Sequence, residues 1–224
     1  MRILTVFLAV ILVTCVVLYL ALPKSKFHQD VPFNGAYDIT CSGRVCDVFF
    51  GSSIVEQQKY MELAKLIELA PEDGIINLHL TGNGGHLDSV FYLENAIALS
   101  KGTVNTIVDG PVYSAHAYLA TLGKTLTIGP NVVFMFHYPA TRMKTALGVV
   151  MVHMTDVCFG VTGTDRGQPM VDKCKESMEM YLKSVETFYN HHINKYLTRK
   201  QQEDVKIGKD IYISGGQMRE MLSK

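Results

Sequence analysis

Ile75-Ile76-Asn77-Leu78-His79-Leu80-Thr81-Gly82-Asn83-Gly84-Gly85 is the stretch on which the fold turns. A short, mostly apolar run that ends in a glycine-rich turn reads as a buried strand. Residues 86–100 follow at once, with Val90, Leu93 and Ile97 at helical spacing. The strand therefore leads directly into a helix. The unit then recurs: residues 104–108 read as a strand, Gly110-Pro111 as a turn, and residues 114–122 as a helix. Residues 125–128 and 132–136 read as two further strands separated by Gly129-Pro130. Strand and helix in close alternation predict an α/β core with parallel crossovers. In such sheets ligands collect where strands end and helices begin.

Upstream of this core, residues 54–70 carry Tyr60, Leu63, Ala64 and Ile67 as a helical stripe, ended by Pro71. Residues 37–50 alternate apolar and polar around Gly43, which predicts a hairpin. Downstream, residues 140–168 break the pattern and read as an insertion or flap. Residues 170–197 return to helical spacing, with Met178, Tyr181, Leu182, Val185, Phe188, Tyr189, Ile193 and Tyr196 on one face. A helix of that length protrudes from a domain of this size. Its apolar stripe requires a cover, and a neighbouring subunit would supply one, so a homo-oligomer is expected. The expected layout is an anchor or signal segment at 1–23, a polar linker at 24–35, and one domain at 36–224 with the flap at about 140–169.

The chain has 224 residues, 48% of them apolar, enough for one sizeable core. With 21 basic and 21 acidic side chains it gives no reason to expect nucleic acid as a partner. Residues 3–22 (ILTVFLAVILVTCVVLYLAL) hold no charge, and as a helix would span ~30 Å, about one bilayer core. No A-x-A-like cleavage site precedes Pro23, so an uncleaved membrane anchor is expected, with a cleaved signal as the alternative. Arg2 before the span and Lys24 and Lys26 after it slightly favour a cytoplasmic body. Cysteine usage points the other way. Cys41 and Cys46 flank a tight turn, and Cys158 and Cys174 bracket a glycine-rich excursion. Two such pairs suggest disulfides Cys41–Cys46 and Cys158–Cys174 and an oxidising, extracytoplasmic or periplasmic compartment, with buried free thiols as the alternative. Neither pair has C-x-x-C spacing, so no metal site is expected.

Three features bear on chemistry. Gly84-Gly85 lets the backbone approach a ligand and turn amides toward it, or simply makes a strand-to-helix turn. Ser114 stands where a helix should begin. Serine there is a favoured cap on structural grounds alone, but free amides at a helix start also favour an oxyanion formed beside a serine nucleophile. His137 closes the apolar run Val132-Val133-Phe134-Met135-Phe136. It is either a structural histidine or the general base that a serine hydroxyl needs. His116 competes for that role but lies on the same helix as Ser114 and is expected to point away from it.

These segments together resemble the ClpP-type serine peptidases of the ClpP/crotonase superfamily. NLHLTGNGGHLDSV (77–90) resembles their strand and S-P-G-G turn, GPVYSAHA (110–117) their G-x-x-x-S-M-G-A nucleophile turn, and VFMFHYP (133–139) their M-I-H-Q-P segment. The helix from Met170 resembles their handle helix, and Gly208-Lys209-Asp210-Ile211-Tyr212-Ile213-Ser214 resembles the R-D-x-F-x-S segment that carries an acid. Asn83 stands in place of the turn proline, and His116 in place of the glycine two residues after the nucleophile.

The resemblance implies a fold of stacked ββα units with a long protruding helix. It also implies Ser114 as nucleophile, His137 as base, Asp210 as orienting acid, and amides of Gly84 or Gly85 and Ala115 as the oxyanion hole. Spacing alone does not select Asp210 over Asp156, Asp165 or Asp172. The implied activity is hydrolysis of peptide bonds in polypeptides, with no cofactor, in a protein held to the membrane through residues 3–22. The alternatives are an inactive binding or assembly module of the same shape and, more remotely, an acyl-thioester enzyme using the paired amides.

Overall fold

The computed structural model describes residues 38–52, 57–145, 148–153 and 168–223. The expected span at 3–22 lies outside them, and no helix among the described residues is long and apolar enough to cross a membrane.

The expected hairpin forms from β1 (Asp38–Ser42) and β2 (Val45–Ser52), paired antiparallel. Cys41 and Cys46 face each other across it and are bonded. Gly43 turns the chain at φ 62°, a conformation that residues with a side chain rarely adopt. Cys174 is also disulfide-bonded; Cys158, its expected partner, lies outside the described residues.

Helix α1 (Gln57–Glu68) buries Tyr60, Leu63, Ala64, Leu66 and Ile67. Strand β3 (Ile75–Gly82) lies parallel to β2, and after α2 (Leu87–Leu99) strand β4 (Thr103–Tyr113) lies parallel to β3. Helix α3 (Ala115–Ala120) precedes β5 (Leu126–Ile128) and β6 (Val133–Phe136), both parallel to β4. The strand-helix alternation thus gives the parallel crossovers expected of it.

Strand β4 is longer than expected, because Gly110-Pro111 lies inside it rather than ending it. Leu80 pairs with Val108 and Gly82 with Val112, so β4 gains two residues over β3 across the pair. A proline lacks the N–H a regular ladder needs, and this irregularity accommodates it.

Strands β7 (Ala140–Thr145) and β8 (Gly148–His153) form a separate antiparallel hairpin within the expected flap. The long helix starts as α4 (Gln168–Phe188), changes to a π turn over Tyr189–Ile193 and ends in a 3-10 turn over Asn194–Tyr196. Its apolar stripe divides. Val185, Phe188, Tyr189, Ile193 and Tyr196 join the core, whereas Tyr181 and Leu182 are only partly covered and Met180 is 63% exposed. Helix α5 (Arg199–Lys206), strand β9 (Ile211–Ser214) and helix α6 (Gly215–Leu222) complete the chain. Strand β9 pairs antiparallel with β6, so the seven-stranded sheet runs β1-β2-β3-β4-β6-β9, with β5 beside β4.

Period-two alternation gives the sheet two unlike faces. Val48, Phe50, Ile76, Leu78, Leu80, Val104, Val108, Phe134 and Phe136 lie on the buried one. Each large side chain there contributes about 1.5–3 kcal/mol relative to exposure. The opposite face is partly open and polar. Asn77 donates to Asp47, Asn105 to Asn77, and Thr125 to Asn105, while His79 lies 2.7 Å from Asp109.

Candidate active site

Strands β4 and β6 run parallel, with Tyr113 opposite Met135. Their carboxyl ends therefore lie side by side, and Ser114 and His137 both stand just past this pair. His137 Nε2 is 2.7 Å from Ser114 Oγ, a full-strength hydrogen bond. The sequence leaves Ser114 open to a purely capping role. Although Ser114 occupies the N-cap of α3, its side chain makes no capping bond, and the hydroxyl is turned to the imidazole instead.

The Ser114 backbone is unusual. At φ 53° and ψ −126° it is the one non-glycine with positive φ among the described residues. Such conformations cost on the order of 1–3 kcal/mol and persist where surrounding structure enforces them. Here the Ser114 N–H donates to the Met135 carbonyl at 2.9 Å, and the Ser114 carbonyl accepts from Tyr118 N–H at 3.1 Å. The turn after β3 presses from the other side. A Cβ at Gly84 would stand 2.7 Å from Ser114 Cβ and 2.9 Å from the Tyr113 carbonyl, with φ at +100°. Only glycine fits there, which is the physical content of the double glycine.

The structure narrows the expected pair of amide donors. Gly84 is buried, and its N–H donates to His116 Nδ1 at 3.0 Å. It is therefore engaged inside the protein rather than aimed at a reacting oxygen. Gly85, partly accessible, and Ala115, next to the serine, remain as candidates. His116 hydrogen-bonds Gly84 and is no spectator. It is fully buried, its ring packs 5.3 Å from that of Phe50, and burial lowers its pKa to about 4.

Two tyrosines hold His137 from behind. The hydroxyls of Tyr118 on α3 and Tyr189 in the π turn both donate to the His137 carbonyl, Tyr189 at 2.8 Å, and they touch each other. Burial pushes both phenols above their ordinary range, so both stay protonated donors. Sequence reading missed this clamp. It placed Tyr189 only on an apolar stripe, and nothing in the chain order pairs it with Tyr118.

Asp210 is not brought onto the imidazole. It is exposed and immediately precedes β9, and among the described residues no hydrogen bond or ion pair joins it to His137. Phe136 pairs with Ile211 in an antiparallel ladder that ends there, with His137 and Asp210 the flanking residues of the two strands. Asp156 and Asp165 lie outside the described residues, and Asp172 falls within α4.

A family model matches more than half of the chain. It is that of Clp protease, and it covers residues 37–158. The chain belongs to the Clp protease family. No curated protein matches the chain. Membership of the Clp protease family makes the chain a member of a peptidase family of polypeptide-cleaving, oligomer-forming proteins. The match spans Gly84, Gly85, Ser114, Ala115 and His137 and stops before α4 and Asp210. The cavity of about 490 Å³ bordered by Phe91, Met180 and Phe188 is lined by neither Ser114 nor His137. No cluster of metal-binding side chains occurs among the described residues.

Proposed function

We propose that this Clp protease family member is a serine endopeptidase acting through Ser114 and His137. The observation that carries the proposal is the 2.7 Å contact between Ser114 Oγ and His137 Nε2 beside a strained Ser114 backbone. Ser114 Oγ attacks the carbonyl carbon of the scissile peptide bond while His137 Nε2 takes its proton. The oxygen that gains charge accepts hydrogen bonds from the amides of Ala115 and Gly85. His137 then gives its proton to the departing amine nitrogen. Water attacks the resulting ester, His137 takes a proton from that water, and Ser114 is released with its hydroxyl restored. Asp210, just before β9, serves as the acid that steadies the imidazolium, a role that rests on the likeness of its segment to the family's.

The same proposal holds the body to the membrane through residues 3–22 on the extracytoplasmic side. The Cys41–Cys46 bond supports that compartment, since such bonds persist where the surroundings are oxidising. Finding Cys41 and Cys46 as free thiols in protein alkylated during extraction would argue against it.

The direct test of the activity is a fluorophosphonate probe applied to the full-length chain. Wild type should be labelled, and Ser114→Ala should not. Labelling that survives the substitution would overturn the assignment. The exposed position of Asp210 favours one rival, an assembly module that keeps the shape without the chemistry. Absence of labelling in wild type, together with loss of self-association when residues 170–197 are disrupted, would favour that rival.

A further inference from the structure

Given the serine-peptidase reading of Ser114 and His137, on which this inference rests, we propose that His116 is a positioning residue. Its Nδ1 fixes the Gly84-Gly85 turn so that the Gly85 amide faces the reacting oxygen. The geometry is specific. The Gly84 N–H donates to His116 Nδ1 at 3.0 Å across 32 residues of sequence, in a buried setting. A backbone N–H is only ever a donor, so Nδ1 must offer a lone pair. The ring is then neutral, with its one proton on Nε2.

Burial favours the same state by lowering the His116 pKa to about 4. The ring is not retained for its other nitrogen. Nε2 is buried and has no hydrogen-bond partner among the described residues. A buried donor left unmatched is unfavourable, so the group that justifies a histidine at this position is Nδ1. The neighbours of the Nδ1 contact are the parts of the site. Ala115, whose amide is the other proposed donor to the oxyanion, is the residue before His116. Gly84 packs against Ser114 Cβ and the Ala115 nitrogen.

The contact therefore joins the two halves of the oxyanion site. It consumes the Gly84 amide to hold the turn that carries Gly85. With glycine at position 116 no side chain would be present to accept from Gly84. In this chain an imidazole supplies that acceptor.

The test separates the acceptor from the bulk of the ring. His116→Asn retains an acceptor near the place of Nδ1, while His116→Leu fills comparable space and has none. Hydrolysis of a peptide ester by the full-length chain is the readout. For His116→Leu we expect kcat to fall by about 10–100-fold with KM changed less than about threefold, as for loss or misplacement of an oxyanion donor. For His116→Asn we expect kcat within about fivefold of wild type, because one hydrogen bond is kept with altered geometry. Equal losses in both variants would assign His116 to packing and overturn the proposal, as would two variants as fast as wild type.

A second measurement does not depend on catalysis or on the folding of a variant. Long-range proton–nitrogen NMR of the wild-type chain with labelled histidine should give His116 as a neutral ring protonated on Nε2. A proton on Nδ1 would overturn the proposal. Should wild type hydrolyse nothing, the peptidase reading fails on its own, and the tautomer still decides whether the Gly84 bond exists.

Discussion

Two serines in this molecule stand between a strand and a helix, and they behave differently. Ser214 ends β9 at φ −70°, accepts from Gln217 N–H at 3.2 Å and forms a full capping box with the Gln217 side chain. Ser114 follows β4 at φ 53°, makes no capping bond, and turns its hydroxyl to His137. Residue type and location in the chain are the same. The difference is that the Ser214 backbone adopts the extended conformation in which a serine caps without strain. That of Ser114 is forced into a costly region by Met135, Tyr118 and the Gly84 turn. A serine that gives up a cap and tolerates strain is held for something other than helix stability.

Exchanging the two serines for alanine in turn breaks this comparison most sharply. Ser114→Ala should lower peptide hydrolysis by at least about 10⁴-fold, as loss of a nucleophile does, with the urea midpoint little changed. Comparable activity in Ser114→Ala and wild type would remove the contrast altogether.

Gly84→Ala tests what enforces the strain. Its Cβ would lie 2.7 Å from Ser114 Cβ at a φ of +100°. A loss of about 2–4 kcal/mol in denaturant unfolding is expected from the combined clash and backbone penalty. Probe labelling should fall with it even where the protein remains folded. An unchanged midpoint would mean that the turn does not press on the serine.

Ser214→Ala should cost about 1 kcal/mol, the usual worth of an N-cap, and leave labelling of Ser114 intact. Loss of labelling here would show that the N-cap of α6 is coupled to the site and would break the contrast between the two serines.

The smallest effect is expected from Tyr189→Phe. It deletes one of two hydroxyls on the His137 carbonyl, and about 1 kcal/mol of stability is at stake in one such bond. A kcat reduced several-fold at unchanged KM would mark the clamp as positioning the base, whereas a pure stability change would mark it as structural.

The parallel strands β3 and β4 were legible in the chain because each is an apolar run with glycine or proline near its end, and each is followed by a helical stripe. The hairpin around Gly43 was legible for the same reason. The extension of β4 through Gly110-Pro111 was not, because a register shift against β3 made room for the proline. The break in the long helix at Tyr189 was hidden too, since the apolar spacing continues through the change to a π turn.

Within the candidate site, the chain pattern presented Gly84-Gly85, Ser114 and His137 as ambiguous pieces. It did not choose between the two glycines. In the fold, a histidine 32 residues away accepts from the Gly84 amide.

By itself, then, the order of residues determined which segments become strands, which end in turns able to approach a ligand, and which side chains stand at those ends. These are consequences of local periodicity and of the conformational freedom of glycine, which act within a few residues. Only the packed tertiary structure decided that the Ser114 hydroxyl meets an imidazole instead of capping a helix. It also decided that two tyrosines hold the carbonyl of that histidine. Those outcomes depend on the relative placement of β4, β6, α3 and the π turn, set by sheet register and core packing across distances that no local pattern encodes.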